Sequence, residues 1–230
     1  VADRPRPRAG PDASTCNEGE RIMTLHKYPR LVLGILAVCA LAPVAARAAA
    51  EIGATAPDFT LTDTEGGRHT LSELTEAGQI VVLEWFNPDC PFIRKHHEVH
   101  RTMNELRAEF ADRGVVWLAV NSGAAGQQGH GLERNRRARA DYAIEYPVLL
   151  DETGEVGRLY GAKTTPHMFV VGAGKERPLL YAGAIDDNRS ARELGKTNHV
   201  REALAAILAG EEVATPRTDP YGCSVKYGAR

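Results

Sequence analysis

Residues 80–95 run Ile80-Val81-Val82-Leu83-Glu84-Trp85-Phe86-Asn87-Pro88-Asp89-Cys90-Pro91-Phe92-Ile93-Arg94-Lys95. The stretch through Phe86 is a nearly continuous apolar run, the pattern of a strand buried on both faces. A Pro-containing turn follows. Pro91 suits the first turn of a helix, where its missing N–H costs nothing. Cys90 therefore stands where a helix begins, facing unpaired backbone N–H groups and the positive end of the helix dipole. Both favour the thiolate, which is the nucleophilic form of cysteine. Arg94 and Lys95 are expected to add positive charge nearby. A buried structural cysteine is the plain alternative, but position and flanking charge favour a reactive one.

Outward from this segment the pattern alternates. Upstream, Thr55 to Leu61 reads as a short strand, Gly66-Gly67 as a turn, and Leu71 to Leu74 follows. Downstream, Pro91 to Asp112 is expected to be one helix, with Val99, Met103, Leu106 and Phe110 on one face and Gly114 ending it. Val115 to Val120 is a second buried strand. Ser122 to Gly131 is a Gly- and Gln-rich loop. Leu132 to Ala143 reads as a helix, Tyr146 to Leu150 as a strand and Glu155 to Tyr160 as a short helix. His167 to Val171 and Leu179 to Ala182 form a hairpin around Gly172-Ala173-Gly174. A last helix carries Val200, Leu204, Ile207 and Leu208, and an irregular tail runs from Thr215 to Arg230. This order implies an α/β sandwich around one central sheet.

The 230-residue chain is 43% hydrophobic and 25% charged, with a net charge of −2, ordinary for a folded domain with a real core. That balance lacks the basic excess of a nucleic-acid binder. The first fifty residues differ from the rest. Met23, His26, Lys27 and Arg30 make a basic segment, Leu31 to Val44 an apolar run, and Ala46 to Ala50 a small-residue cleavage site. That order is a secretory signal peptide, and the run is short for a membrane span. Residues 1–22 are expected to be an upstream extension outside the mature protein. Residues 23–50 are then the signal, 51–214 the domain and 215–230 a tail. The mature part would be periplasmic or secreted, with no stable membrane anchor. Residues 51–230 keep 21 of the 28 basic and 26 of the 30 acidic side chains, a net charge of −5. Of the four cysteines only Cys90 and Cys223 remain there, in a compartment that permits disulfides.

The segment resembles the thioredoxin superfamily. Trp85 and Phe86 stand where that family ends its central strand, and Cys90-Pro91-Phe92-Ile93 occupies its four-residue redox motif. Thr165-Pro166 matches the family's cis-proline, which lies against the active-site cysteine. Ala56-Pro57-Asp58-Phe59-Thr60-Leu61 looks like the redoxin and peroxiredoxin branch. The resemblance implies a thioredoxin-like three-layer sandwich with a central mixed β-sheet flanked by helices. It also implies thiol–disulfide oxidoreductase chemistry at Cys90, with protein or small-molecule thiols and disulfides as partners and an unidentified reductase or oxidase behind them. Thr165, Pro166, Pro91 and Trp85 would shape the substrate surface, the residue before the proline binding the incoming backbone. No cofactor is implied.

One departure changes the chemistry. Ile93 replaces the second motif cysteine, so a mixed disulfide cannot be resolved within the motif. Cys223, in a late Gly222-Cys223-Ser224, is the expected resolving cysteine, carried to the site by a flexible tail; a static Cys90–Cys223 disulfide is the alternative. Two rival functions stand beside this one. A peroxiredoxin-like peroxidase is disfavoured because Asn87 occupies the place of that family's Thr or Ser. A non-catalytic binding or copper-carrier module would use His96 and His100, spaced i, i+4. Glu84 could accept a proton if buried beneath the cysteine, and His167, beside the proline, could tune Cys90. The Arg134, Arg136, Arg137 and Arg139 cluster reads as a solvated helix face.

Overall fold

The computed structural model describes residues 49–229. The expected extension and signal peptide, with Cys16 and Cys39, lie outside the described residues, save for Ala49 and Ala50 at the expected cleavage site. In chain order the elements are β1 (Thr60–Asp63), β2 (Arg68–Thr70), α1 (Leu71–Glu76), β3 (Ile80–Trp85), α2 (Pro91–Arg94), a π-helical turn (Lys95–Val99) and α3 (Thr102–Phe110). Then come β4 (Val115–Asn121), α4 (Leu132–Asp141), β5 (Val148–Leu150), α5 (Glu155–Tyr160), β6 (Thr164–Thr165), β7 (Met168–Val171), β8 (Leu179–Gly183), α6 (His199–Ala209) and β9 (Cys223–Ser224).

Seven strands form one sheet in the order β2-β1-β5-β4-β3-β7-β8. β3 is parallel to β4 and antiparallel to β7, so the sheet is mixed. All six residues of β3 are buried, Glu84 included, as its nearly continuous apolar run requires. Alternate residues feed the two faces. Val82 and Phe86 join Cys90, Ile93 and the α3 residues Met103, Leu106 and Phe110 on one face. Val81, Leu83 and Trp85 join Leu71 of α1 and Tyr160 of α5 on the other. The expected three-layer sandwich is thus present.

Two expectations fail. The first is the single helix from Pro91 to Asp112. His100 N–H bonds the carbonyl of Lys95, an i→i+5 step, and Arg101 then adopts φ 53° before α3 begins. The extra residue in that turn rotates the sequence out of α-helical register. Val99, expected on the apolar face, is 63% exposed, while Lys95, His96 and His97 are all buried.

The second is the flexible tail, which is bonded along its length. Thr218 bonds Ala182 and Ala184, Val225 N–H reaches Lys163 O, and Tyr227 OH reaches Ala162 O. Between these, β9 pairs antiparallel with β6, Cys223 opposite Thr165. A two-residue ladder has no hydrophobic period to betray it in a sequence.

Candidate redox site

β3 delivers the chain to a tight turn. Asn87 Oδ1 accepts the amide of Asp89 at 2.9 Å, and the Asn87 carbonyl accepts the amide of Cys90 at 3.0 Å. Arg134 grips Asp89 Oδ1 through Nε at 2.9 Å, and Tyr142 OH donates to Pro88 O at 2.8 Å. Arg134 is therefore more than a solvated face: it braces the turn. Asn87 Nδ2 also donates to Gln128 O at 3.2 Å, tying in the Ser122–Gly131 loop.

Cys90 is the N-cap of α2, extended at φ −82°, ψ 126°, with Pro91 in the first turn. Its carbonyl accepts the amide of Arg94 at 3.0 Å, the first helical bond. Its sulfur is fully buried and donates to the carbonyl of Thr165 at 3.0 Å. The Thr165–Pro166 peptide is cis, as the resemblance implied.

Cys223 lies against the same point. β9 sets it opposite Thr165, whose carbonyl accepts the Cys90 thiol, and both cysteines are unbridged. Gly222 makes this approach possible: its φ is 136°, and a Cβ there would overlap the Thr165 carbonyl. Burial, then the neighbouring Cys90, push the Cys223 thiol up to about 12, against the pull of Lys226. Cys223 is nonetheless only partly covered, whereas Cys90 is sealed.

The other expected site residues are distributed unevenly. Thr165 and Pro166 flank the sulfurs but lie buried, their strand edge occupied by β9. Pro91 is exposed beside the site. Trp85, expected at the substrate surface, is fully buried in the opposite core and donates to Ser122 Oγ at 3.0 Å. Strand alternation forces this, since Trp85 neighbours Phe86 and must face the other way.

Arg94 and Lys95 do not serve as free charge beside Cys90. Arg94 pairs with Glu98 at 2.7 Å in solvent. Lys95 turns inward to Asn188 O at 2.9 Å and Tyr221 OH at 3.2 Å. Glu84 is buried as one alternative required, but its carboxylate is committed to His97 at 2.7 Å, Tyr146 OH at 2.9 Å and Trp117 Nε1 at 3.3 Å.

His167 lies in the core beside Phe169, its Nδ1 accepting the Lys163 amide at 3.3 Å. Burial and the Lys163 and Arg217 charges lower its pKa to about 3, so it is neutral. His96 and His100 part company: His96 Nε2 meets Tyr221 OH at 3.0 Å, and His100 Nε2 meets Arg192 O at 2.8 Å. The i, i+4 argument presumed an α-helix, which the π turn replaces. Sequence reasoning missed Tyr221 and Asp186, which fasten the tail. Tyr221, two residues before Cys223, was the available signal.

Residues 52–176 match the AhpC/TSA family. The thiol-disulfide oxidoreductase ResA of Geobacillus kaustophilus (strain HTA426) is 27% identical over 148 residues, covering 64% of this chain and 79% of that protein. Among solved structures, hypothetical protein SMc02350 of Sinorhizobium meliloti 1021 superposes with a TM-score of 0.69 at 29% identity, over 80% of this chain and 98% of that one. An uncharacterized conserved protein of Geobacillus kaustophilus gives a TM-score of 0.69 at 28% identity, over 78% and 94%.

Proposed function

The chain belongs to the AhpC/TSA family, and we propose that within it the protein is an exported thiol–disulfide oxidoreductase whose redox couple is Cys90 and Cys223. The observation that carries this reading is the placement of both cysteines on Thr165: the Cys90 thiol donates to its carbonyl at 3.0 Å, and β9 pairs Cys223 directly opposite it. The name borne by the ResA relative supports it.

The couple works by exchange. A mixed disulfide forms between one protein sulfur and a substrate sulfur, and the second protein sulfur attacks it, expelling the substrate thiolate. Substrate disulfide becomes two thiols while Cys90 and Cys223 become a disulfide; a partner dithiol, oxidised in turn, restores them. The reverse sequence oxidises substrate thiols. The tail need not swing, because β9 already holds Cys223 opposite Thr165. Export, by cleavage of residues 23–50 near Ala48 to Ala50, would place the couple where disulfides persist. Thiol- or disulfide-bearing proteins and small molecules are the partners.

A glutathione redox titration of residues 51–230, read by alkylation and mass spectrometry, tests the reading. A reversible Cys90–Cys223 disulfide with a midpoint of roughly −120 to −270 mV is expected. A bond that stays closed below about −300 mV is a structural staple and overturns it.

A further inference from the structure

We infer that Cys223, not Cys90, is the sulfur that partner thiols and disulfides meet, and that Cys90 is the buried resolving partner. The inference rests on the proposed redox couple and assigns the roles within it.

Three observations carry it. Cys90 is fully buried while Cys223 is partly exposed, so an incoming sulfur finds Cys223 first. The edge of Thr165, where the thioredoxin resemblance places the substrate backbone, is filled by the tail's own Cys223–Ser224 strand. The tail is bonded on both sides of Cys223, at the buried Tyr221 OH to Asp186 and at Val225 N–H to Lys163 O, so it does not lift without breaking both. The chain thus presents its own cysteine in the place of a substrate's.

The chemistry agrees with that order. In the oxidised protein a partner thiolate attacks the Cys223 sulfur, forming a Cys223–partner disulfide and breaking the Cys90–Cys223 bond. Cys90 leaves as the thiolate and, on taking up a proton, donates to the Thr165 carbonyl 3.0 Å away. A second thiol of the partner then displaces Cys223, which takes up a proton. The partner dithiol is oxidised to a disulfide and the protein pair is reduced.

In the reduced protein Cys223 attacks a substrate disulfide, forming a Cys223–substrate disulfide, and its proton passes to the first departing substrate thiolate. Cys90, whose thiol donates to the Thr165 carbonyl at 3.0 Å, then attacks the Cys223 sulfur; its proton goes to the second departing substrate thiolate, and the protein disulfide is complete.

Single-cysteine variants separate the roles. Cys90→Ser and Cys223→Ser are each exposed to glutathione disulfide and, separately, to iodoacetamide, with folding checked by circular dichroism. Cys90→Ser is expected to accumulate glutathione on Cys223 at least tenfold faster than Cys223→Ser does on Cys90, with the same order for alkylation. Equal rates, or a faster Cys90, overturn the assignment. If the wild type forms no Cys90–Cys223 disulfide, the proposed function falls separately, and the alkylation order still decides which sulfur is accessible.

Discussion

The π-helical turn Lys95–Val99 sends its side chains into two buried polar networks that join different things. His97 turns to Glu84, whose carboxylate also accepts from Trp117 and Tyr146. Every member lies within the sandwich and is essentially sealed from solvent. Lys95 and His96 turn instead to Tyr221, which belongs to the tail. Tyr221 OH donates to Asp186 and accepts from Lys95 Nζ and His96 Nε2, which fills a phenol's donor and both acceptor positions. The Glu84 network fixes the helix to the sheet. The Tyr221 network fixes a separate segment, and with it Cys223, to the same helix. One is architecture, and the other sets the geometry of the sulfur pair.

Removing the Glu84 carboxylate is the largest test of that distinction. Glu84→Ala strands three donors in a dry interior, and losing one partner from such a buried cluster costs about 3–5 kcal/mol. Urea unfolding is expected to show that loss as a lower midpoint. Under folding conditions the alkylation order, Cys223 before Cys90, stays as in the wild type. A stability loss below about 1 kcal/mol would mean that the network is not load-carrying for the fold.

A middle test acts on the tail without touching either network. Gly222→Ala places a methyl group against the Thr165 carbonyl at φ 136°, a conformation costing a non-glycine residue about 1–3 kcal/mol. The strain is relieved most readily by parting β9 from β6. Cys90 alkylation is therefore expected to rise about tenfold, the population change that ~1.4 kcal/mol produces, with urea unfolding showing a loss no larger than that. An unchanged Cys90 rate would show that β9 stays seated despite the overlap.

The same contrast explains what the sequence disclosed. β3, the turn and the Cys90-Pro91 helix start are local features: each is written in a few adjacent residues, an apolar run, a turn proline, a first-turn proline. The hairpin strands His167 to Val171 and Leu179 to Ala182 were legible for the same reason, to within a residue of β7 and β8. The π turn was not. Lys95 read as charge beside Cys90 and His96 as a candidate metal ligand, because the burial of Lys95, His96 and His97 depends on partners far along the chain: Glu84, Asp186 and Tyr221. Nor was the ordered tail legible, since its seat is built from single contacts at Thr218, Tyr221 and Tyr227 with no shared period. Cys90 could thus be named from its neighbours, but its sealing beneath Cys223 depends on those distant contacts.

The finest test removes one oxygen. Tyr221→Phe keeps the ring against Phe92, 5.7 Å between centroids, and deletes the hydroxyl that Lys95, His96 and Asp186 share. Hydrogen bonds to charged groups contribute about 1.5–3 kcal/mol each, but Lys95 keeps Asn188 O and Asp186 keeps the amides of Asn188 and Gly195. A net loss near 1–2 kcal/mol is therefore expected, and it falls on docking of the tail. Cys90 alkylation should rise roughly tenfold. The disulfide midpoint should move ~30 mV less negative, the same factor expressed for a two-electron couple, because a looser Cys223 closes the bond less favourably. Arg189→Ala, which breaks only the exposed pair with Asp219, is the control, since exposed pairs contribute little. If Tyr221→Phe behaves like that control in both measurements, the tail is seated by Thr218, β9 and Tyr227 alone. The second network would then be architecture of the same kind as the first.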